Sequence, residues 1–482
     1  MKLKNIFAIC LLAAIFATGC KKYLEIPLPL NKISGSSAFT NDKSAAATIN
    51  HILGNLAVNN EFDGQGIGFL TGEYSDELTN QSLNADLNAF YRNAITSNLA
   101  RKYWSDFYIH IYNCNLAIEG IRASTSLINY KNQWVGEALF LRALLHFYLT
   151  NIYGDVPLVT SSDFRVNNVL GRTPKTEVYK QIIADLQEAQ SLLSTDYRNA
   201  TGVTTTSRSR PNKTAATALL ARVYLYAGEW AKAEEQANIL INDKANYELP
   251  ALTQTFLAAS KETIWSFAID ATTPGQPWVK DYSVYFNDAP AVFPLSATLG
   301  TYGVTATLSP TLVSSFESAD QRLTTWARRI TTTPAAPALP VTHYLVTKYK
   351  SKVNAVENIV MLRLAEQYLI RAEARAQQNN LIGANAAQAD INAVRSRAGL
   401  TGTAAVTKVE ILESIAKERR TELFTETGHR FFDLKRTGTI DAVMSVASPL
   451  KGGIWTNQKQ IWPIPTADIN ANPNLTQAPG YN

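Results

Sequence analysis

The feature that most constrains the fold is a helical repeat of apolar residues between Met361 and Gly438. In its first part, apolar side chains recur every three or four residues, which places them on one face of a helix. These residues are Met361, Leu364, Ala365, Tyr368, Ala372 and Ala376. After a break at Asn379–Gly383, a second face is made by Ala384, Ala387, Ile391, Val394 and Ala398. Small alanines allow close packing, so the segment predicts an antiparallel helical hairpin with Gly399 as C-cap.

A third helical run, VEILESIAKERRTELFTET, ends at Gly428 and is unusually rich in charge. The charged residues in and just after it are Glu418, Arg419, Arg420, Glu422, Arg430, Asp433, Lys435 and Arg436. Glu418 and Glu422 lie one helical turn apart and could form the carboxylate pair that a glycoside hydrolase needs. However, Arg419 falls on the apolar stripe of this helix, and buried charges must be paired. We therefore predict an ion-pair network that holds helices in register.

Helical patterning also runs through the first half of the chain. It predicts helices at Asn41–Val58, Lys102–Ile121 and Gln133–Asn151, and another with Thr173 as N-cap and Pro174 in the first turn. Tetratricopeptide spacing is found at Leu220, Ala221, Tyr224, Gly228 and Ala233, and the Ala372–Ala384 pair fits the same spacing. These patterns predict a scaffold of about four helical pairs. Aromatic residues at helical spacing, which are predicted to be core, are Trp134, Tyr148, Tyr224 and Tyr368.

The N-terminus has the pattern of a lipoprotein signal peptide. Lys2 and Lys4 precede the apolar run IFAICLLAAIFA, and Thr18-Gly19-Cys20 follows it. This pattern predicts that residues 1–19 are removed, that the Cys20 thiol is acylated, and that residues 20–40 form a lipidated tether. No second apolar run reaches the length of a membrane-spanning helix, so we expect membrane attachment through the lipid alone.

Composition narrows the class of protein further. The chain has 482 residues, 46% of them hydrophobic, and a formal net charge of +5 at pH 7. Because its basic residues are scattered, we do not expect nucleic acid as a partner. Of the three cysteines, Cys10 lies in the signal and Cys20 is the lipidation site. Cys114 remains, which predicts no internal disulfide and an inert buried thiol.

The helical pattern is interrupted twice. Residues 59–98 read as a loop-rich insertion in a helical scaffold at 41–246. Residues 247–358 are rich in Pro, Gly, Thr and aromatics and are too long for a bare connection. We predict that they form a second, loop-rich lobe with short strands and one helix at Pro310–Glu317. Residues 359–482 then form the hairpin, the following helix and a tail that wraps the surface.

Ligand capture outside the cell requires flat aromatic faces for stacking and polar groups that orient the ligand, both best placed on loops. Candidate ligand-binding residues in the first loop region are Tyr74, Asp76, Glu77 and Tyr91. Those in the second are Trp278, Asp281, Tyr282, Tyr285 and Phe286. The alternatives are that Asp76 and Glu77 are simply solvated and that the aromatic rings belong to the core.

Several stretches together resemble the SusD/RagB family. They are Gly136–Leu158, Leu362–Gln377, Ile391–Leu400, Glu418–Arg436 and Pro463–Tyr481, in the order that the family has. The resemblance implies a mostly α fold, SusD-like, with about four tetratricopeptide-like helical pairs as scaffold and a variable ligand-binding lobe. It also implies a surface-exposed outer-membrane lipoprotein that captures nutrients, with a TonB-dependent transporter of the SusC type as its partner.

The motifs of common enzymes are missing from the sequence. The histidines show no H-E-x-x-H spacing, no G-x-S-x-G elbow occurs, and GQGIG at Gly64–Gly68 lacks the setting of a dinucleotide loop. We therefore predict no metal site, no cofactor and no catalysis. The predicted function is capture of glycans for uptake through the transporter. The alternatives are a peptide-binding, RagB-like member of the same family and, less favoured, a glycoside hydrolase.

Overall fold

The fold is described from a computed structural model of the chain, for residues 39–269, 278–293, 298–333 and 339–481. The predicted signal peptide and the predicted tether up to residue 38 lie outside these ranges, and so does Cys20. Within the ranges described, no helix is long and apolar enough to cross a membrane.

Helices dominate the structure. The α-helices are α1 (Asp42–Val58), α2 (Ile67–Tyr74), α3 (Ala85–Tyr91), α4 (Arg101–Ala123), α5 (Lys131–Tyr153), α6 (Phe164–Asn167), α7 (Lys175–Leu192), α8 (Lys213–Ala227), α9 (Trp230–Asn242), α10 (Asp281–Val284), α11 (Pro310–Val313), α12 (Gln321–Thr325), α13 (Leu364–Gln377), α14 (Ala387–Arg397), α15 (Lys408–Glu422), α16 (His429–Arg436), α17 (Ile440–Leu450) and α18 (Thr466–Ala471). Single 3-10 turns occur at Leu252–Gln254, Leu299–Tyr302 and Asn457–Gln460.

The strands are short and form three small sheets. They are β1 (Leu78–Asn80), β2 (Thr263–Phe267), β3 (Val292–Phe293), β4 (Ala306–Leu308), β5 (Ala327–Thr332), β6 (Val341–Val346) and β7 (Ile359–Arg363). β1 pairs antiparallel with β4, and β2 pairs antiparallel with β7. In the third sheet β5 is central, parallel to β3 and antiparallel to β6.

Eight of the described helices pack against one another in succession, which makes four pairs. The pairs are α1 with α4, α5 with α7, α8 with α9, and α13 with α14. The segment between α9 and α13 holds β2 to β7, so the loop-rich part of the chain is inserted between two neighbouring helices of the scaffold. The prediction of a mostly α fold with about four tetratricopeptide-like pairs is confirmed.

The hairpin of α8 and α9 shows why the small residues matter. Gly228 follows α8 with φ +75°, a left-handed conformation that glycine adopts at little cost and that lets the chain reverse at once. Ala221 and Ala233, on the facing helices, are fully buried. The aromatic residues predicted to be core are all buried: Trp134, Tyr148, Tyr224 and Tyr368.

The hairpin of α13 and α14 differs from the sequence prediction at its ends. Met361 lies in β7, paired with β2, and α13 begins only at Leu364. Ala384 is exposed before the first turn of α14, so Ala387 is the first alanine of the buried face. Apolar periodicity alone could not show that the first residues of the run belong to a buried strand.

Helix α15 also ends earlier than its sequence pattern predicted. Thr407 caps its start and forms a capping box with Glu410. The helix stops at Glu422, because Thr425 and Thr427 both have positive φ values and cannot continue it. Leu423–Gly428 is therefore a turn that leads into α16.

Two other predicted helix boundaries were wrong. Thr173 is not an N-cap, because its backbone pairs with Val156 in an isolated bridge and stays extended; Pro174 is the N-cap of α7. The helix predicted at Pro310–Glu317 ends at Val313 and continues as single turns. Residues 59–98 are also more ordered than predicted, since they contain α2, β1 and α3.

Cys114 lies within α4 and is fully buried. Burial raises the pKa of its thiol to about 12, so little thiolate forms near neutral pH. The prediction of an inert buried thiol is confirmed.

Candidate ligand-binding site

The charged cluster at the end of α15 is a buried ion-pair network, as predicted. Arg322 Nη1 lies 2.5 Å from Glu418 Oε1 and 3.0 Å from Glu422 Oε2. Arg363 Nη1 lies 2.6 Å from Glu422 Oε1, and Arg397 also contacts this carboxylate. Burial alone would raise the pKa of Glu422, but the three guanidinium charges lower it below its usual value. Glu418 and Glu422 are at most 1% exposed and are used in the fold.

A second part of the network extends from α15 and α16 to the start of the chain. Asp76 accepts hydrogen bonds from Arg430 Nε at 2.7 Å and from Arg420 Nη2 at 2.7 Å. Burial raises the pKa of Asp76, but the hydrogen bonds and charge of Arg430, together with the charge of Arg420, lower it overall. Asp433 is held in the same way between Arg419 and Arg436, both at 2.7 Å.

The candidate ligand residues of the first loop region are mostly inside the protein. Tyr74 is fully buried, and its hydroxyl donates to the carbonyl of Lys459 at 3.0 Å. Asp76 is 7% exposed and paired as above, and Glu77 is 2% exposed with its pKa raised to about 8, chiefly by burial. Tyr91 is half-buried, with the amine of Lys451 4.8 Å from its ring centroid. Tyr74, Asp76 and Glu77 are therefore buried by other parts of the protein, and we do not include them in the proposed binding site.

The candidate ligand residues of the second loop region differ in burial: Tyr285 is buried, and the others are partly exposed. Tyr285 is 1% exposed, and Phe286 packs on the small apolar cluster beneath the β3–β5–β6 sheet. Asp281 accepts the backbone N–H of Gly64 at 2.8 Å; burial and the nearby Asp63 carboxylate raise its pKa well above the usual value. Trp278 is half-buried and its ring N–H donates to Ser283 Oγ at 3.1 Å, so its contact with a ligand stays a prediction.

Of the candidates, Tyr282 lines a cavity in the described part of the lobe. This lobe cavity has a volume of about 550 Å³, within the usual size range of small-molecule sites. It is bounded by α12 and by side chains at one end of the β5–β6 pair. Its charged, amide and aromatic lining residues are Tyr282, Asn287, Arg328, Arg329, Tyr344 and Lys350.

Several contacts fix the geometry of the lobe cavity. The hydroxyl of Tyr282 donates to Asp288 at 2.5 Å, and the amine of Lys352 lies 5.1 Å from the Tyr282 ring centroid. On the sheet, Tyr344 of β6 stands directly opposite Arg329 of β5, so their side chains share one face. The two tyrosine rings are half-buried and are therefore held by the fold while part of each ring stays open.

Asn287 and Arg328 each have hydrogen-bonding atoms to spare. The Asn287 amide donates to the carbonyl of Tyr349 at 2.9 Å, while its Oδ1 has no partner among the described residues. Arg328 Nη1 donates to the carbonyl of Ala289 at 2.6 Å, and its Nε and Nη2 have no described partner. Unpaired polar atoms are rare in folded proteins and often mark sites of function.

Sequence reasoning missed five of the six charged, amide and aromatic residues of the lobe cavity. Four of them follow the segment Gln276–Pro290 in which the candidates were sought. The available signal was the adjacent pair Arg328-Arg329 in the sequence ARRITT (residues 327–332), which is rich in β-branched residues. The strand pairing that brings Tyr344 opposite Arg329 could not be read from one sequence. Among the residues described, no group of three potential metal ligands is found.

Two family profiles match the chain. The profile described as "Starch-binding associating with outer membrane" matches residues 32–225, and the one described as "SusD family" matches residues 339–481. Together they cover more than half of the chain, at both ends and in the expected order. The chain belongs to the SusD/RagB family, as the resemblance in its sequence predicted.

Curated relatives agree with this assignment. SusD-like protein P2 of Formosa agariphila is 26% identical over 422 residues, which cover 79% of this chain and 80% of the relative. SusD-like protein P38 of the same organism is 26% identical and covers 86% of this chain and 87% of its own length. Starch-binding protein SusD of Bacteroides thetaiotaomicron is 34% identical over 129 residues, 26% of this chain and 22% of that protein.

Solved structures share the fold at lower identity. A laminarin-binding SusD-like protein superposes with a TM-score of 0.73 at 24% identity, covering 92% of this chain and all of that one. A SusD superfamily protein of Parabacteroides distasonis superposes with a TM-score of 0.74 at 23% identity, covering 91% of this chain and 99% of that one. At this identity the likeness concerns the fold alone.

Proposed function

We propose that this protein is a lipid-anchored outer-membrane binding protein that captures glycans in the lobe cavity. The captured glycan then passes to a TonB-dependent transporter of the SusC type, because a chain held by a lipid can concentrate a ligand but cannot carry it across the membrane. Cys20 is the lipid acceptor and residues 21–38 belong to the tether in this proposal. The family profile that names starch binding and the outer membrane supports it.

The observation that carries the proposal is the composition of the lobe cavity. Tyr282 and Tyr344 offer ring faces to a sugar, and the polar side chains of Asn287, Arg329 and Lys350 lie beside them in the cavity lining. Aromatic faces with a few polar groups are the usual chemistry of sugar sites, since a pyranose has both an apolar face and a rim of hydroxyls. The cavity lies on loops and short strands that the helical scaffold supports, which suits a ligand-contacting surface.

The positions of the described acidic residues favour binding without catalysis. The carboxylates that could have formed a hydrolytic pair, Glu418 and Glu422, are buried and engaged by Arg322, Arg363 and Arg397. Within the part of the chain that the structure describes, no carboxylate lines the lobe cavity. The proposed role is therefore capture, and hydrolysis would be assigned to other proteins.

The test is calorimetric binding of a panel of neutral and acidic oligosaccharides and of peptides to the purified protein. Tyr282→Ala and Tyr344→Ala should each weaken glycan binding by about 1–3 kcal/mol, by analogy with stacking of bases on aromatic rings. Tyr112→Ala is the matched control, since Tyr112 is a 41% exposed tyrosine on α4 and lies outside the lobe cavity. It should leave the affinity unchanged.

Three results would contradict the proposal. Peptide binding with no glycan binding would assign the protein to the peptide-capturing branch of the family. Product formation from a bound glycan would make it an enzyme. Unchanged glycan affinity in both tyrosine variants would place the binding site outside the lobe cavity.

A further inference from the structure

The lobe cavity carries more positive charge than a neutral sugar requires. Among the residues that the structure describes, Arg328, Arg329 and Lys350 line it and no acidic side chain does. Salt bridges nearby join Lys352 to Asp288 and Lys348 to Glu426, but none joins these three cations to a carboxylate among the described residues. The described surroundings therefore compensate the charge of the lining only in part.

The neighbouring acids are each engaged elsewhere. Asp288 is shared by the amine of Lys352 and the hydroxyl of Tyr282. The Glu357 carboxylate accepts backbone N–H groups of Lys350 and Ser351, at 2.9 to 3.0 Å, and these contacts involve the Lys350 main chain. Both acids lower the local potential, yet three cations against two partly engaged acids leave an excess of positive charge.

The three cations have different roles because they differ in exposure. Arg329 and Lys350 are exposed, so their donors can reach a ligand directly. In Arg328 the Nε and Nη2 atoms, which lie along one edge of the guanidinium, are buried and lack a described partner. Arg328 therefore acts as a fixed charge behind the cavity wall, where screening by salt is weak.

We propose that the lobe cavity selects acidic glycans, whose carboxylate or sulfate groups are held by Arg329 and Lys350. This inference rests on the proposed function, since it assigns the ligand class of the same site. The tyrosine rings carry the sugar ring, and the anionic group of the sugar lies over the exposed cations. Uronate carboxylates and sulfate esters share this chemistry, because both present planar or tripodal oxygens that guanidinium and ammonium groups bind well.

The experiment compares ligands that differ only in charge. One pair is an oligogalacturonate and its fully methyl-esterified form, and the other is sulfated laminarin and laminarin. At low ionic strength the charged member of at least one pair should bind about tenfold tighter or more, and this advantage should shrink as salt is added. Which pair shows the effect identifies the carboxylate or the sulfate as the group that is bound.

A double variant tests whether the lobe cavity is responsible. Arg329→Ala/Lys350→Ala should remove most of the advantage that the charged ligand has over its neutral counterpart. The matched control is Lys43→Ala/Arg101→Ala, which removes the same two residue types from exposed positions on α1 and α4. It should keep the preference for the charged ligand.

The outcomes separate this inference from the proposed function. Equal, salt-insensitive binding of charged and neutral glycans would overturn the inference and leave glycan capture standing. Equal loss in the two double variants would also overturn it, since the preference would then come from the overall charge of the protein. If no glycan of either kind bound to the folded protein, the proposed function itself would fail.

Discussion

The helical scaffold and the loop-rich lobe use positive charge in opposite ways. In the scaffold, Arg222 on α8 is 1% exposed and contacts Glu366 on α13, so its charge holds two helices together. In the lobe, Arg329 is exposed and its one described side-chain contact is a hydrogen bond to Thr342. The contrast teaches that a cluster of charge in the sequence says little about function until its partners are known.

The largest expected effect comes from breaking the scaffold network. Glu422→Ala should lower the free energy of unfolding by about 3–5 kcal/mol, because it leaves Arg322, Arg363 and Arg397 buried with one carboxylate fewer. Urea unfolding followed by tryptophan fluorescence measures this change. The lobe counterpart, Lys352→Ala, breaks an ion pair in which both side chains are about half exposed, and should change stability by less than about 1 kcal/mol. Similar losses of unfolding free energy in the two variants would contradict the proposed difference between the buried network and the exposed ion pair.

A smaller effect should test how the insertion at residues 59–98 is held against the scaffold. A Cβ on Gly68 of α2 would lie 2.2 Å from the carbonyl oxygen of Thr425, in the turn after α15. Gly68→Ala should therefore destabilise the protein by about 1–3 kcal/mol, since the backbone itself must move. Gly54→Ala is the matched control: Gly54 lies inside α1 with nothing near its Cβ position, and the change should stabilise by about 0.5–1 kcal/mol. A neutral Gly68→Ala would mean that α2 is not held against the scaffold.

The smallest expected effect concerns Glu61, an exception to the pairing found in the scaffold. Glu61 is fully buried, both of its carboxylate oxygens lack a described partner, and burial raises its pKa to about 7. The folded state thus binds a proton more tightly than the unfolded one, whose carboxyl has a pKa near 4.5. The stability from this proton is complete below pH 4.5 and is lost as the pH rises through 7.

Glu61→Gln removes that pH dependence. Relative to the parent, the variant should gain about 1 kcal/mol or more between pH 5 and pH 8 in urea unfolding. Glu229→Gln, at a half-exposed side chain, serves as the control and should show no such gain. If the free energy of unfolding of Glu61→Gln and of the parent protein changed with pH in the same way, the pKa of Glu61 would not be raised in the folded state.

Much of the scaffold could be predicted from the sequence because its signals are local. The period of apolar residues in α5 and α13 and the glycine after α8 depend on neighbours along the chain. The charged network could also be predicted, since Arg419 lay on an apolar stripe and needed a partner. The partners Asp76 and Arg322, far away in sequence, could not be named in advance.

The lobe cavity was only partly predictable, because the contacts that form it are not local in the sequence. Its residues come from a turn, a helix end and two strands, and they meet through pairings that leave no periodic trace. Aromatic content marked the right part of the chain and included Tyr282. It also marked Tyr74 and Tyr285, because a buried ring and a binding ring look alike in a sequence.

The burial of Cys114 makes the folded chain a convenient carrier for a reporter dye. After residue 20, Cys114 is the only cysteine in the sequence. It lies on α4, and its thiol is buried in the core. A maleimide dye added to the folded protein without residues 1–20 would therefore find no accessible thiol to modify. A cysteine placed at the exposed Thr324, on the rim of the lobe cavity, would be labelled alone and would report ligand entry directly.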